Sequence, residues 1–206
     1  MPEGLPLRRL MSMARKKEFD ELDVLNRAME IFWRQGYEGT SIQDLVEQMG
    51  INRGSLYGTF ADKRALFLAA IQHYDRTVIA VVVERLHEPH PSARQQIIDY
   101  IMSVAVKAAS PGQREGCFLT NSAVEVGAHD PEAERSVLEA MRRIEQALYE
   151  ALVRARRAGE IRPQKDLRAL ARYLTSSIQG LQVMGKILPD KRALLDIAEI
   201  IVAALD

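Results

Sequence analysis

Apolar residues recur at helical spacing along almost the whole chain, and the breakers between them fall at intervals suited to short helices joined by tight turns. There is no β-hairpin signal. That punctuation leaves little room for anything but packed helices, so the expected fold class is all-α. Hydrophobic residues make up 47% of the 206, enough to build an ordinary core. Formal net charge is zero, so composition does not announce a nucleic-acid partner, and any such reading has to come from local features.

The first helix is expected from about Phe19 to Gln35, with Leu22, Leu25, Ala28, Met29, Phe32 and Trp33 on one stripe and Gly36 as its stop. Thr40 and Gln43 have the T-x-x-Q form of a capping box for a short helix reaching Met49. Gly50 supplies a permissive turn residue, and Asn52 caps a second short helix reaching about Phe60. Two helices thus meet across about three residues. Ile42, Leu45, Val46, Ile51, Leu56 and Phe60 can hold the pair against the first helix. What remains outside is Asn52, Arg53, Ser55, Tyr57 and Thr59, with Gly54 allowing close approach. An ordinary solvated face would be rich in Lys and Glu, whereas this one is short, polar and nearly free of carboxylates. Such a set suits a DNA groove: Arg53 can reach a guanine edge or a phosphate, and Asn52, Ser55 and Thr59 do so with shorter reach. The alternative is a helical corner capped by small residues.

Phe32, Gly36, Tyr37, Thr40, Ser41, Ile42, Gly50, Ile51, Gly54, Ser55, Leu56, Tyr57, Phe60, Lys63 and Leu66 together resemble the DNA-binding signature of the TetR family of bacterial transcriptional regulators. The resemblance covers about a quarter of the chain. It implies an N-terminal three-helix helix-turn-helix domain over residues 13–64, a linking helix over 65–88, and a helical effector-binding and dimerisation domain over 89–206. It also implies phosphate contacts by Thr40 and Ser41, groove contacts by Arg53, Gly54 and Ser55, and phosphate clamping by Tyr57 and Lys63. Gly58 departs from the histidine or aromatic frequent at its position, and Val46 and Met49 stand where small residues are common.

Residues 1–12 read as a flexible extension. Through Lys17 the N-terminus carries five basic residues against Glu3 alone, which suits either a solvated tail or an arm in the minor groove. No secretory signal and no membrane-spanning segment is expected, which points to the cytoplasm and away from a membrane partner. Lone Cys117 cannot form an internal disulfide.

A long helix is expected from Ala65 to about His87, where the run Val78–Val83 must become buried and "HEPHP" ends it. His87 and His90 are not expected to hold a metal, because Pro89 breaks the helical spacing between them. Five more helices follow, near 92–109, 117–128, 131–158, 165–188 and 190–205. Leu174, Ile178 and Leu181 lie on one apolar stripe of the last pair, and Leu195 and Ile201 on another. By resemblance these would form the dimer interface; taken alone the stripes say only that the residues are buried.

The segment "REGCFLTNSAVEV" sets Cys117, Asn121, Ser122 and Glu125 among apolar neighbours. Either Cys117, Asn121 and Glu125, with Tyr100, Met102 and Tyr173, line a ligand pocket, or the polar groups bond to nearby backbone and arginines. Cys117 at a helix start beside Arg114 would favour the thiolate and could sense oxidants or electrophiles. No catalytic motif appears, and neither a cofactor nor a metal is expected. The expected function is a ligand-responsive transcriptional regulator, a repressor, that binds a palindromic double-stranded operator as a homodimer and is released by a small-molecule effector. The rivals are a helical adaptor without DNA binding and a transcriptional activator.

Overall fold

The computed structural model describes residues 20–206 apart from Gln113 and Pro189. The extension over residues 1–12 and the basic stretch to Lys17 lie outside the described residues. Helix α1 (Glu21–Gln35) is capped by Asp20, whose carboxylate accepts from the Leu22 N–H. Its buried face is Val24, Leu25, Ala28, Met29, Ile31 and Phe32; Leu22, expected on that stripe, sits in the exposed first turn at 62% exposure. Helices α2 (Ile42–Met49) and α3 (Arg53–Thr59) flank the turn Gly50, Ile51, Asn52. Gly50 has φ +70°, a left-handed conformation that L side chains rarely adopt, and its N–H donates to the Val46 carbonyl. Leu45, Met49, Ile51, Leu56 and Phe60 are buried, and Ile42 and Val46 half-buried, so this pair closes onto α1 as its pattern predicts.

Helix α4 (Lys63–Tyr74) continues through a π-helical turn, Asp75–Ile79, into α5 (Ala80–His87), and α4 packs on α1. By length and composition the run Lys63–His87 could cross a bilayer, contrary to the expectation of no such segment. In this fold it is a core helix, with Leu66, Phe67, Leu68, Ala70, Ile71, Tyr74, Ile79 and Leu86 buried. Val78–Val83 departs from its expected burial: only Ile79 is buried and Val81 is exposed, because the run forms the wall of a cavity.

The body comprises α6 (Ala93–Ala108), α7 (Phe118–Val126), α8 (Pro131–Arg157), α9 (Leu167–Ile187) and α10 (Lys191–Ala203), with no strand among the described residues. Helix α8 packs against α5, α6, α7 and α9, while α10 closes on α6. An aromatic seam fastens the three-helix head to this body. Phe67 meets Phe32 and Phe118 edge-on, at 5.1 and 5.9 Å between ring centroids, and Tyr37 at a tilt at 4.8 Å. Tyr74 meets Trp33 and Phe118 edge-on as well.

Candidate nucleic-acid interface and effector cavity

The outer face of α3 is set by caps at both ends of the helix-turn-helix. The capping box of α2 falls one residue later than its sequence form suggested. Ser41, not Thr40, is the N-cap: its hydroxyl accepts from the Asp44 N–H at 3.1 Å, and the Ser41 N–H donates to the Asp44 carboxylate at 2.8 Å. Those bonds to Ser41 hold the Asp44 carboxyl below the usual range. Thr40 turns inward at 1% exposure and its hydroxyl donates to the Gly36 carbonyl at 2.6 Å, so that hydroxyl faces no groove.

Asn52 caps α3, with Oδ1 accepting from the Ser55 N–H at 2.8 Å. Arg53, Gly54 and Tyr57 are exposed beside it, and Ser55 and Thr59 are half-buried. Arg53 donates to the Gln43 side chain at 3.1 Å, which braces the guanidinium across the two short helices. Lys63 is engaged as well: its ammonium donates to the Tyr37 and Thr40 carbonyls at 2.9 and 3.1 Å and lies 4.2 Å from the Tyr37 ring centroid. An ammonium has three donors, so one is left for a phosphate. The result is one exposed face of short donors and acceptors with a single braced cation, and no carboxylate on α3.

A cavity of about 320 Å³ lies in the body between the linking helix, α6 and α9. Six valines and isoleucines share its wall with polar groups that include Tyr74, Tyr100, Cys117, Gln179 and Gln182. Burial pushes both phenols upward, so both stay protonated and able to donate. The Tyr74 hydroxyl points at the Cys117 sulfur from 4.0 Å. Arg85 and Lys107, both exposed, also line the cavity, and among the described residues no carboxylate does. Thr77, in the π-helical turn, is another lining residue; its hydroxyl donates to the His73 carbonyl, as suits a widened helical turn.

Of the expected pocket residues only Tyr100 and Cys117 reach this cavity. Met102 packs half-buried against the core. Asn121 donates to the Glu115 carbonyl and accepts from Lys186, the local bonding that was the alternative for it. Glu125 leaves the body altogether and accepts two backbone N–H bonds from the head. Tyr173 lies on the outer side of α9, in an open apolar groove shared with α10.

The expected dimer residues divide: Leu181 and Ile201, buried within the single chain, line that groove, whereas Leu174 and Ile178 are buried and Leu195 half-buried on stripes that face α6, α8 and each other. The apolar residues left outside are Tyr173, Val183, Met184, Ile187 and Ile200, with Ile187 and Ile200 at 73% and 70% exposure. The available signal was apolar residues standing off the core stripe, which a search for stripes passes over. Among the described residues no cluster of His, Cys, Asp and Glu could hold a metal ion, and His87 instead contacts Glu150 at 2.9 Å.

Residues 24–70 match the family model described as bacterial regulatory proteins of the tetR family, and residues 93–201 match the tetracyclin repressor-like C-terminal domain. The chain belongs to the TetR family. It is therefore a DNA-binding transcriptional regulator and not an enzyme. The HTH-type transcriptional regulator YezE of Bacillus subtilis (strain 168) is 40% identical over 195 residues, spanning 94% of this chain and all of the relative. The HTH-type transcriptional repressor ComR of Escherichia coli (strain K12) is 30% identical over 175 residues, 85% of this chain and 83% of the relative. Among solved structures, the TetR family regulator CifR, as a cysteine mutant complexed with 26 bp double-strand operator DNA, superimposes with a TM-score of 0.82. It is 26% identical and covers 93% of this chain and 100% of its own.

Proposed function

We propose that this regulator acts as a homodimeric repressor in the cytoplasm, where its operator lies, and that a small molecule held in the body releases it from DNA. The observation that carries the reading is the exposed face of α3, where Asn52, Arg53, Gly54 and Tyr57 stand clear of the core with no carboxylate among them. An operator-bound neighbour of the same fold and repressors among the relatives support it. Thr40 then serves the interface through its place in the turn, Ser41 and Tyr57 through phosphates, and Lys63 through its remaining donor. The helix-turn-helix domain is residues 13–64, with 65–88 linking it to the effector-binding and dimerisation domain, 89–206.

Two copies meet through the outer face of α9 and α10. Apolar side chains as exposed as Ile187 and Ile200 mark an association surface, and a twofold pairing sets two α3 helices against successive major grooves of a palindromic site. The effector is a small, largely apolar molecule that carries an acceptor or anionic group. Valine walls, two phenol donors and the Arg85 and Lys107 cations suit that chemistry. A coupling of about 1–3 kcal/mol between effector and operator suffices for control.

Selection of bound duplexes from a random pool tests the reading, with the parent protein, Arg53→Ala and Ile200→Glu at fixed salt. The parent is expected to enrich a palindrome. Arg53→Ala should bind it about 10- to 100-fold more weakly, the cost of a lost bidentate base contact. Ile200→Glu should sediment as a monomer. A parent that enriches nothing, or binds as a monomer, overturns the proposal.

A further inference from the structure

Helix α7 lies between the cavity and the head. Cys117, just before its first residue, walls the cavity, and Glu125, near its last, touches the head. Eight residues at 1.5 Å each place these two points about 12 Å apart along a rigid rod. Glu125 Oε2 accepts from the Tyr37 N–H and Oε1 from the Glu38 N–H, both at 2.8 Å. The backbone is shaped to admit that carboxylate. Gly36 has φ +77°, and a Cβ there would lie 2.8 Å from each carboxylate oxygen, so no other residue fits without displacing the contact.

The segment so held is the one that orients the reading helices. Its N–H groups go to Glu125, while its carbonyls at Tyr37 and Thr40 go to the Lys63 ammonium on the linking helix. Ser41, the N-cap of α2, follows at once. Both attachments involve a charged partner, the stronger class of hydrogen bond. A second strap, from Arg64 at the start of the linking helix to Asp130, the N-cap of α8, and Glu132 in its first turn, ties the linking helix to the body, and Glu125 ties the body to the turn before α2 itself.

We infer that Glu125 is the positioning residue that fixes the angle between reading head and body, and so the half-site spacing that a dimer accepts on its operator. The inference rests on the dimeric reading above. Without Glu125 the head keeps its caps and its face, and loses one angle relative to its mate.

The test is a duplex pool in which two half-sites are separated by every spacing within several base pairs, offered to the full-length parent, Glu125→Gln and Glu125→Ala. The glutamine amide presents one acceptor and one donor to two N–H groups, so it satisfies only one of them. The parent should enrich a single spacing. Both variants should enrich several, with affinity for the parent's best site falling about tenfold, the scale of one lost charged hydrogen bond. Affinity for an isolated half-site should stay within about twofold, as the face that reads it is untouched. Faster exchange of the Tyr37 and Glu38 amides confirms that the contact is gone. Variants that keep the single spacing at full affinity sink the inference, and so does an equal loss on isolated half-sites, which would mean damage to the head itself. A parent that enriches no paired half-sites sinks instead the dimeric reading beneath it.

Discussion

The head and the body cap their helices alike and differ in what their other polar groups reach. Capping is done by neighbours in both: Asp20, Ser41, Asn52 and Asp62 in the head, and Ser92, Asp166 and Asp190 in the body, each accept from an N–H two or three residues ahead. The remaining short polar side chains of α3 are left outside. In the body the polar groups reach across elements. The Gln96 amide donates to the carbonyls of Arg85 and Glu88 at 2.6 and 3.0 Å, closing the end of the linking helix, and its oxygen accepts from Arg154 on α8. Arg154 also reaches the Leu86 carbonyl, Thr120 donates to Gln179 between α7 and α9, and Lys165 to the Ala204 carbonyl. Local caps let three short helices present one face, while the longer-range bonds of the body tie its helices to one another.

The largest effect expected from this contrast lies at Gln96. Replacing it by Ala breaks two part-buried bonds to the Arg85 and Glu88 carbonyls and one from Arg154, at a cost of about 2 kcal/mol. Thermal unfolding should show a lower midpoint for the whole protein, while isolated half-site binding at 20 °C stays unchanged. Loss of half-site binding by a folded Gln96→Ala protein would break the division between the two regions. Ser41→Ala comes next, at about 1 kcal/mol for a lost N-cap. Its effect should be confined to the head, seen as faster amide exchange in α2 with the body's exchange unaltered. Spread of that exchange into α8 or α9 would show that the head's caps are not local after all.

The same contrast explains what could be read from the sequence. Head features depend on residues three or four apart, so Asn52 as a cap, Gly50 as a turn and the outward set of α3 were all legible. The misreading of Thr40 for Ser41 arose because both residues make good caps. Thr40 is drawn inward by the Gly36 carbonyl, which no short pattern reveals. In the body, helix positions were legible from periodicity, but the partners of each side chain were not. Leu174 and Ile178 carry the same apolar signal whether they face α6 and α8 or a second chain. Glu125 looked like a polar residue in need of a partner, and its partner proved to be the backbone of a turn more than eighty residues earlier. Spacing along one helix cannot supply a contact of that range.

The smallest expected effect is at the seam between the two regions. Asp130 caps α8 and binds the Arg64 guanidinium at 2.6 and 2.8 Å, and the bonds from Arg64 hold its carboxyl down from 3.8 to about 2. A carboxyl depressed in the folded state adds stability that is fully present above its unfolded value. That contribution is lost as pH falls from about 4 through about 2. Asp130→Asn keeps an N-cap oxygen and removes the charge, so its melting temperature should fall less steeply than the parent's across that window. Above about pH 5 the parent should be modestly the more stable, by a margin that shrinks with added salt because Arg64 is half exposed. Identical acid limbs for parent and variant would show that Arg64 adds nothing to the junction, leaving Glu125, Lys63 and the aromatic seam to hold head to body.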